Sequence, residues 1–406
     1  DEPVVLFISN TPEDLAGLVG IWLAKAVAVP VHVATPTPTI ETLTRRLGSR
    51  YAIRSLVLET SNCARPAPRP LLRGAALIVF TSGSTGAPKG VVVSHRGFGW
   101  KLQVLHRMLQ FIRGEAVVVS LQLTFIFGIW VSLLALISGV RLLLAPKLSA
   151  NGLRQHAPAV SILATVTTAL RALCADDPVD LPGLRKVLTG GEPLPAELTA
   201  NLASRFPQAG IFDLFGLTET GSCDFVAQHE GQSGAEGTIG RPTEGVDYRI
   251  SKIPELALPT GVGELQIRSP AMMLGYLDDP DQTTDVFDGG YFKTGDLVSE
   301  RGDGFVQLVG RSKDIVSRGG NKIAPLEIEN LFTQHDGVAA ALAFGIPDSR
   351  QGECLHLMVV SRDPTLYETR LRAWSAERLE RFKTPDVFHF VNSIPVGRTG
   401  KADRAA

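Results

Sequence analysis

The chain has 406 residues, more than one ordinary core holds and enough for two or three compact units. Lys and Arg (40) nearly balance Asp and Glu (41), giving a formal charge of −1, and 44% of the residues are apolar. That balance argues against a broad electrostatic surface, so neither nucleic acid nor membrane is expected as a partner. The four cysteines, Cys63, Cys174, Cys223 and Cys354, lie far apart and form no CxxC pair, which argues against a zinc site or a disulfide framework. The opening DEPVVLFISN lacks the basic and apolar regions of a signal peptide. The most apolar window, residues 121–145, is interrupted by Gln122, Ser132, Ser138 and Arg141, so it fits a core segment better than a membrane span. Cytoplasm is the expected location.

In chain order, residues 4–9 form a short β-branched run that reads as a buried strand. Residues 11–28 read as a helix: Thr11 can cap it, Pro12 suits its first turn, and Glu13 and Asp14 favour its positive end. Residues 29–33 read as the next strand, and the rhythm recurs at 75–80, 116–120, 141–144 and 161–165. Strands alternating with helices imply an α/β fold with largely parallel sheets. Residues 234–310 differ. Short segments, frequent Gly and Pro, and the alternation at 264–268 suggest a smaller, more antiparallel β-rich subdomain. Beyond Arg311 a helix is expected at 325–334, strands at 338–345 and 355–360, and a charged amphipathic helix at 366–381. This tail reads as a small α+β domain.

The strongest local signal is Ile78-Val-Phe-Thr-Ser-Gly-Ser-Thr-Gly-Ala-Pro-Lys-Gly90. A strand runs into a loop of Thr81, Ser82, Gly83, Ser84, Thr85, Gly86 and Lys89. Glycines let backbone N–H groups approach phosphate oxygens, the hydroxyls donate further bonds, and the lysine adds positive charge. A P-loop would end in Gly-Lys-Ser/Thr, whereas Pro88 precedes Lys89 and Gly90 follows it, so a P-loop kinase or GTPase is disfavoured.

With this loop the chain resembles the adenylate-forming superfamily of acyl- and aryl-CoA ligases, nonribosomal peptide synthetase adenylation domains and luciferases. Further motifs follow in the family's order. Thr189-Gly-Gly-Glu-Pro193 is similar to the segment lying against adenine, which implies nucleotide contacts at Gly191, Glu192 and Pro193. Asp213-Leu-Phe-Gly-Leu-Thr-Glu219 resembles the aromatic-Gly-x-Thr-Glu element. It implies nucleotide-binding roles for Asp213, Phe215 and Gly216, a phosphate and acyl-carboxylate contact at Thr218, and Mg²⁺ binding at Glu219. Tyr291-Phe-Lys-Thr-Gly-Asp296 implies that Asp296 binds the ribose hydroxyls, and Arg311 resembles a second ribose or phosphate contact. Lys313 falls at the family's hinge. Gly319, Gly320 and Lys322 lie in the loop implied to form the thiol tunnel. Lys401, in Arg-Thr-Gly-Lys, aligns with the adenylation lysine. The Gly263-Glu-Leu…Gly275-Tyr276 element fits too and reads as structural.

The resemblance covers nearly the whole chain and implies the family's fold. This is a large N-terminal α/β domain, residues 1–311, of stacked mixed β-sheets with helices, including the β-rich subdomain. A small mobile α+β domain, residues 312–406, follows. Two departures are visible. The N-terminal subdomain is expected to be truncated ahead of Asp1, and residues 48–77 are short for the family.

Activity follows as an expectation: ATP and Mg²⁺ convert a small carboxylic acid to an acyl-adenylate with release of pyrophosphate, and a thiol then displaces AMP. The implied acyl pocket comprises Phe125, Ile126, Phe127, Trp130, Gly190, Leu214, Ser222 and Cys223. Where amino-acid-activating domains carry an Asp for the α-ammonium, this chain has Ile126. A buried aliphatic group leaves such a charge unpaired, so the acid expected is aryl or short-to-medium aliphatic, without an α-amine. The acceptor stays open between CoA, favoured by the Phe-Gly-Leu-Thr-Glu wording, and the phosphopantetheine of a carrier protein, favoured by Phe-x-Phe-x-x-Trp. A luciferase-like oxygenase and a non-catalytic nucleotide-binding protein are the remaining alternatives; retention of Glu219, Asp296 and Lys401 speaks against the second.

Overall fold

The computed structural model describes residues 1–60, 67–81, 88–175, 178–229, 235, 237–256, 258–395, 402 and 404. Of the expected site residues, Ser82, Gly83, Ser84, Thr85, Gly86 and Lys401 lie outside the described residues, as does Cys63. The chain forms two compact units, one of Asp1–Tyr248 with Ile267–Phe292, the other of Arg249–Gln266 with Lys293–Ala406.

The first unit holds two seven-stranded mixed sheets. One contains β1 (Pro3–Ile8), β2 (Val27–His32), β3 (Tyr51–Arg54), β4 (Val57–Thr60), β5 (Ala75–Thr81) and β6 (Lys89–Ser94), closed at one edge by the two-residue strand Gly275–Tyr276. The second contains β7 (Ala116–Ser120), β8 (Arg141–Leu144), β9 (Ile162–Thr165), β10 (Lys186–Gly190), β11 (Gly210–Phe215), β12 (Phe225–His229) and β13 (Arg241–Pro242), in the order β13-β12-β11-β10-β9-β7-β8. The strands β7 to β11 run parallel, and β12 turns back antiparallel to β11. Both faces of such strands are covered, which is why runs such as Ala-Val-Val-Val read as continuously apolar.

The first helix, α1 (Pro12–Leu23), starts where expected. Asp14 accepts from the backbone N–H groups of Ser9 (2.8 Å) and Thr11 (2.9 Å) and so anchors its first turn. It ends five residues earlier than the apolar pattern suggests, because Lys25 adopts a left-handed φ of 56° and the Ala26 N–H closes on the Ile21 carbonyl at 3.0 Å. After α2 (Thr37–Leu47), the helix α3 (His95–Leu109) packs on β5 and β6, α4 (Ile126–Ile137) packs on β7 and β8, and the two helices touch each other. The main core therefore runs between the sheets, through Leu77, Val91, Phe98, Leu105, Trp130, Leu134, Val119 and Leu188.

The second unit carries the hairpin Val338–Asp348 with Gly352–Ser361, flanked by Val316–Arg318, Asn321–Ile323 and Val387–Phe390 in a five-stranded sheet. The helix Pro325–Phe332 packs on that hairpin, and Ile328, Phe332, Leu355, Leu357 and Leu371 form its core. The charged helix expected over 366–381 spans Glu368–Ala376, and the chain then turns, the Leu379 N–H bonding to the Ser375 carbonyl at 2.8 Å. Among the described residues no helix is long and apolar enough to cross a membrane.

Candidate active site

In the first unit β10 and β11 end side by side, Thr189 opposite Asp213 and Gly190 opposite Leu214. A Cβ on Gly190 would stand 2.3 Å from the Leu214 carbonyl oxygen, so only glycine allows this approach. The chain then turns through Gly191 at φ 88°. The Glu192 carbonyl accepts from the Thr167 hydroxyl at 3.4 Å, and the Leu194 N–H donates to Asp213 at 3.3 Å. Gly191 and Pro193 are exposed, Glu192 half-buried. Asp213 is buried, and burial pushes its carboxyl from the ordinary 3.8 up to about 7, against the pull of the Leu194 and Leu214 backbone N–H groups. Its carboxyl braces the turn that carries residues 191–193.

Beyond β11 the chain makes a compact turn. Phe215 is half-buried and packs edge-to-face on the fully buried Phe225, ring centroids 6.1 Å apart. Gly216 is exposed, yet a Cβ there would meet the Cys223 nitrogen at 2.3 Å. The Ser222 N–H bonds to the Leu217 carbonyl at 2.8 Å, and the Asp224 N–H to the Phe215 carbonyl at 2.7 Å. Gly221 (φ 88°), Ser222 (φ 68°) and Cys223 (φ 51°) are three successive left-handed residues, two of which carry side chains. Such a run is unfavourable for L-residues and persists only where its surroundings hold it.

Thr218 and Glu219 stand at the head of this turn, both half-buried. Tyr276 donates its hydroxyl to Glu219 at 3.0 Å, the Met273 N–H bonds to the Glu219 carbonyl at 2.8 Å, and the Lys89 ammonium lies 5.2 Å from the Tyr276 ring centroid. Burial first, and the Glu219 carboxylate second, raise the Tyr276 phenol far above its usual range, so it remains a hydrogen-bond donor. Lys89 pairs with Thr81 in the β5–β6 ladder, so both are fixed to strand ends flanking residues 82–87. The lysine of the phosphate-type loop is thus brought to Tyr276, which in turn holds the candidate metal carboxylate. Tyr276 was legible only as a structural Gly-Tyr pair; its hydroxyl contact is a tertiary fact.

The expected acyl wall lies on α4 and the same turn. Ile126 is 4% exposed within the main core, and Phe127 stacks on the fully buried Trp130 at 5.2 Å. The Trp130 Nε1–H points to the Ser222 hydroxyl at 3.4 Å. Leu214 and Cys223 are buried, and burial pushes the Cys223 thiol up to about 12, so it acts as a small apolar group rather than a nucleophile. Phe125 sits ahead of α4 and is 39% exposed.

In the second unit Asp296 and Arg311 face each other on antiparallel strands, Tyr291–Glu300 and Val306–Arg311, with Arg311 Nε 2.7 Å from the Asp296 carboxylate. Asp296 is 1% exposed, while Arg311 is exposed. Thr294 accepts from the Asp296 N–H at 3.0 Å, and Glu264 accepts from the Gly295 N–H at 3.1 Å, fixing this stretch of the strand. Lys313 is exposed in the short helical turn Ser312–Asp314. Gly319 and Gly320, both left-handed and exposed, form the tip between Val316–Arg318 and Asn321–Ile323. Lys322 donates to the Ser317 hydroxyl at 2.7 Å across that hairpin.

The AMP-binding enzyme family matches residues 59–277, and the AMP-binding enzyme C-terminal domain matches residues 327–401. The chain belongs to the AMP-binding enzyme family. The sulfoacetate–CoA ligase of Cupriavidus necator is 32% identical over 352 residues, 85% of this chain and 69% of that protein. The 2-succinylbenzoate–CoA ligase of Bacillus licheniformis is 32% identical over 342 residues, 82% of this chain and 70% of that protein. The fold is that of the Bacillus subtilis O-succinylbenzoate coenzyme A synthetase solved with ATP and magnesium ion. The TM-score is 0.83 at 23% identity, covering 100% of this chain and 88% of that one. The protein is therefore an AMP-forming acid–CoA ligase of the adenylate-forming superfamily, using ATP to activate a carboxylic acid and CoA to receive the acyl group.

One group in the site escaped the sequence reading. Lys101, on α3, is fully buried, and its ammonium reaches the Cys223 carbonyl at 3.1 Å and Asp224 at 3.3 Å. Its signal was present: Phe98, Lys101, Leu105 and Leu109 fall on one helical face, three or four residues apart, so the lysine occupies an apolar register.

Proposed function

We propose that the acid activated by this ligase is an aryl or short-to-medium aliphatic acid without an α-amino group, and that Lys401, Thr218 and Glu219 carry its adenylation. The observation that carries the substrate class is the buried, aliphatic Ile126, in the same apolar core as Trp130, Leu214 and Cys223. An aliphatic side chain at position 126 cannot pair with an α-ammonium.

In this reading the triphosphate lies along residues 81–89, with Lys89 offsetting its charge. Glu219, fixed by the Tyr276 hydroxyl, keeps its second oxygen for Mg²⁺, which screens the phosphates. Gly191, Glu192, Pro193, Phe215 and Gly216 flank adenine, Asp213 bracing them from below. Asp296 and Arg311 take the ribose. Lys401 bridges the acid carboxylate and the α-phosphate, stabilising charge while the carboxylate oxygen attacks phosphorus and pyrophosphate leaves. The domain of residues 312–406 then turns about Lys313 as its hinge. Lys401 withdraws, the loop of Gly319, Gly320 and Lys322 enters, and the thiolate sulfur attacks the acyl carbon as AMP leaves.

CoA is the acceptor; a carrier-protein phosphopantetheine, which presents the same thiol arm, is the second reading, favoured by the Phe-x-Phe-x-x-Trp wording of residues 125–130. The deciding assay supplies ATP, Mg²⁺ and a panel of acids with either CoA or a phosphopantetheinylated carrier. Acyl-CoA formation with amine-free acids is expected. Carrier loading while CoA stays inert would transfer the assignment to the second reading.

A further inference from the structure

The left-handed run at residues 221–223 must be held by something, and the structure shows what holds it. Lys101 comes from α3 between the two sheets, with no exposed surface, and meets Asp224, also fully buried. Its ammonium donates both to the Asp224 carboxylate (3.3 Å) and to the Cys223 carbonyl (3.1 Å). The Thr220 hydroxyl donates to the other Asp224 oxygen, and the Thr243 hydroxyl reaches the Cys223 carbonyl at 3.0 Å. The Leu217 N–H in turn donates to the Thr220 hydroxyl at 3.3 Å. One buried cation thus ties together both ends of the turn that presents Thr218 and Glu219 on one side and Ser222 and Cys223 on the other.

A buried ion pair is rarely the cheapest way to stabilise a core, since apolar residues of similar volume often do as well. Its distinct capability is directional: it fixes a carbonyl and a carboxylate in one geometry, which apolar packing does not. Here the fixed carbonyl belongs to Cys223, in the middle of the strained run, and Ser222 beside it accepts from Trp130.

We propose that Lys101 is a positioning residue for acid binding: paired with Asp224, it holds the Cys223 carbonyl and so sets where Ser222 and Cys223 stand against the acid. This role rests on the acyl-pocket reading given above. It concerns a residue that touches neither the acid nor the nucleotide.

The test is Lys101→Met in the full chain, with the double variant Lys101→Met/Asp224→Asn beside it. Acid-dependent ATP–pyrophosphate exchange gives KM for the acid and for ATP separately, and thermal unfolding gives stability. Lys101→Met alone strands a carboxylate that burial already pushes up, so it lowers stability, increasingly as pH rises and the stranded group ionises. The double variant removes both charges and recovers stability, but not the donor to Cys223.

The expected result is a KM for the acid raised about tenfold in both variants, the scale of losing one charge-assisted hydrogen bond. KM for ATP moves by less than about twofold. If the double variant regains both stability and the wild-type acid KM, the pair is merely structural and the proposal is overturned. Should neither variant fold, Thr243→Val removes the second donor to the same carbonyl; a raised acid KM supports the proposal and an unchanged one overturns it. Failure of the acid-site reading shows separately, as wild-type protein that exchanges pyrophosphate with no acid at all.

Discussion

Two of the turns that use successive left-handed residues, at 221–223 and at 319–320, are built in opposite ways. At residues 221–223 the run includes Ser222 and Cys223, is braced by Lys101, Asp224 and Thr243, and is packed so closely that a Cβ on Gly221 would lie 2.5 Å from Ala271 Cβ. At residues 319–320 the run is Gly-Gly, exposed, and an added Cβ at either position would meet nothing within 4 Å. The first is a fixed surface whose strain is held by buried polar groups. The second is permissive backbone in open space, which would suit the thiol-tunnel role proposed for it. Activation of the acid should therefore be sensitive to small changes of packing, and acyl transfer much less so.

The largest expected effect separates the two half-reactions outright. Lys401→Ala should cut adenylation by roughly 10²–10³-fold, the scale of losing one preorganised charge contact to a transition state. Thioester formation from a supplied acyl-adenylate should persist. Measuring both on one preparation checks it; an equal loss of both steps in folded protein would contradict domain alternation.

Next comes the rigid side. Gly190→Ala places a methyl 2.3 Å from the Leu214 carbonyl and should cost about 1–3 kcal/mol of stability through overpacking. Pyrophosphate exchange should fall at least about tenfold as the ends of β10 and β11 part. The matching change on the permissive side, Gly320→Ala, adds no clash and only a left-handed alanine, about 1–2 kcal/mol of local strain. It should slow thioester formation a few-fold and leave exchange untouched. If the two alanines affected exchange alike, the contrast between the turns would fail.

A separate effect concerns pH and stability rather than either half-reaction. Asp213 is raised in the folded protein from 3.8 to about 7 by burial. Its contribution to stability is therefore fully present below the unfolded value and is lost as pH rises through the folded one. Asp213→Asn should flatten this dependence. Its melting temperature should gain on the wild type between about pH 4 and pH 7 and hold the gain above that.

Much of this was legible in the chain, for reasons that differ from element to element. β7 and β8 fall on the residues their apolar runs predict, and for β7 the reason is that a strand covered on both faces has unmistakable composition. α1 was read too long, because the apolar pattern continues past Leu23 whereas the helix is stopped by a left-handed Lys25, which no composition rule marks. The motif residues of β10, β11 and the turn after them were identified through their resemblance to the family's motifs. That Asp213 turns to Leu194, that Tyr276 reaches Glu219, and that Lys101 lies under Cys223 were not. Those contacts join positions 19, 57 and 122 residues apart, and a lysine is read as solvated unless its helical register is checked against the apolar stripe.

The central claim, a fixed apolar pocket that activates an acid without an α-amine, is tested most directly by ATP–pyrophosphate exchange over a panel of aryl, aliphatic and α-amino acids. The account predicts exchange with at least one aryl or short-to-medium aliphatic acid and none with α-amino acids. Exchange with α-amino acids alone would contradict the reading of Ile126 and its neighbours, while leaving the ligase chemistry in place.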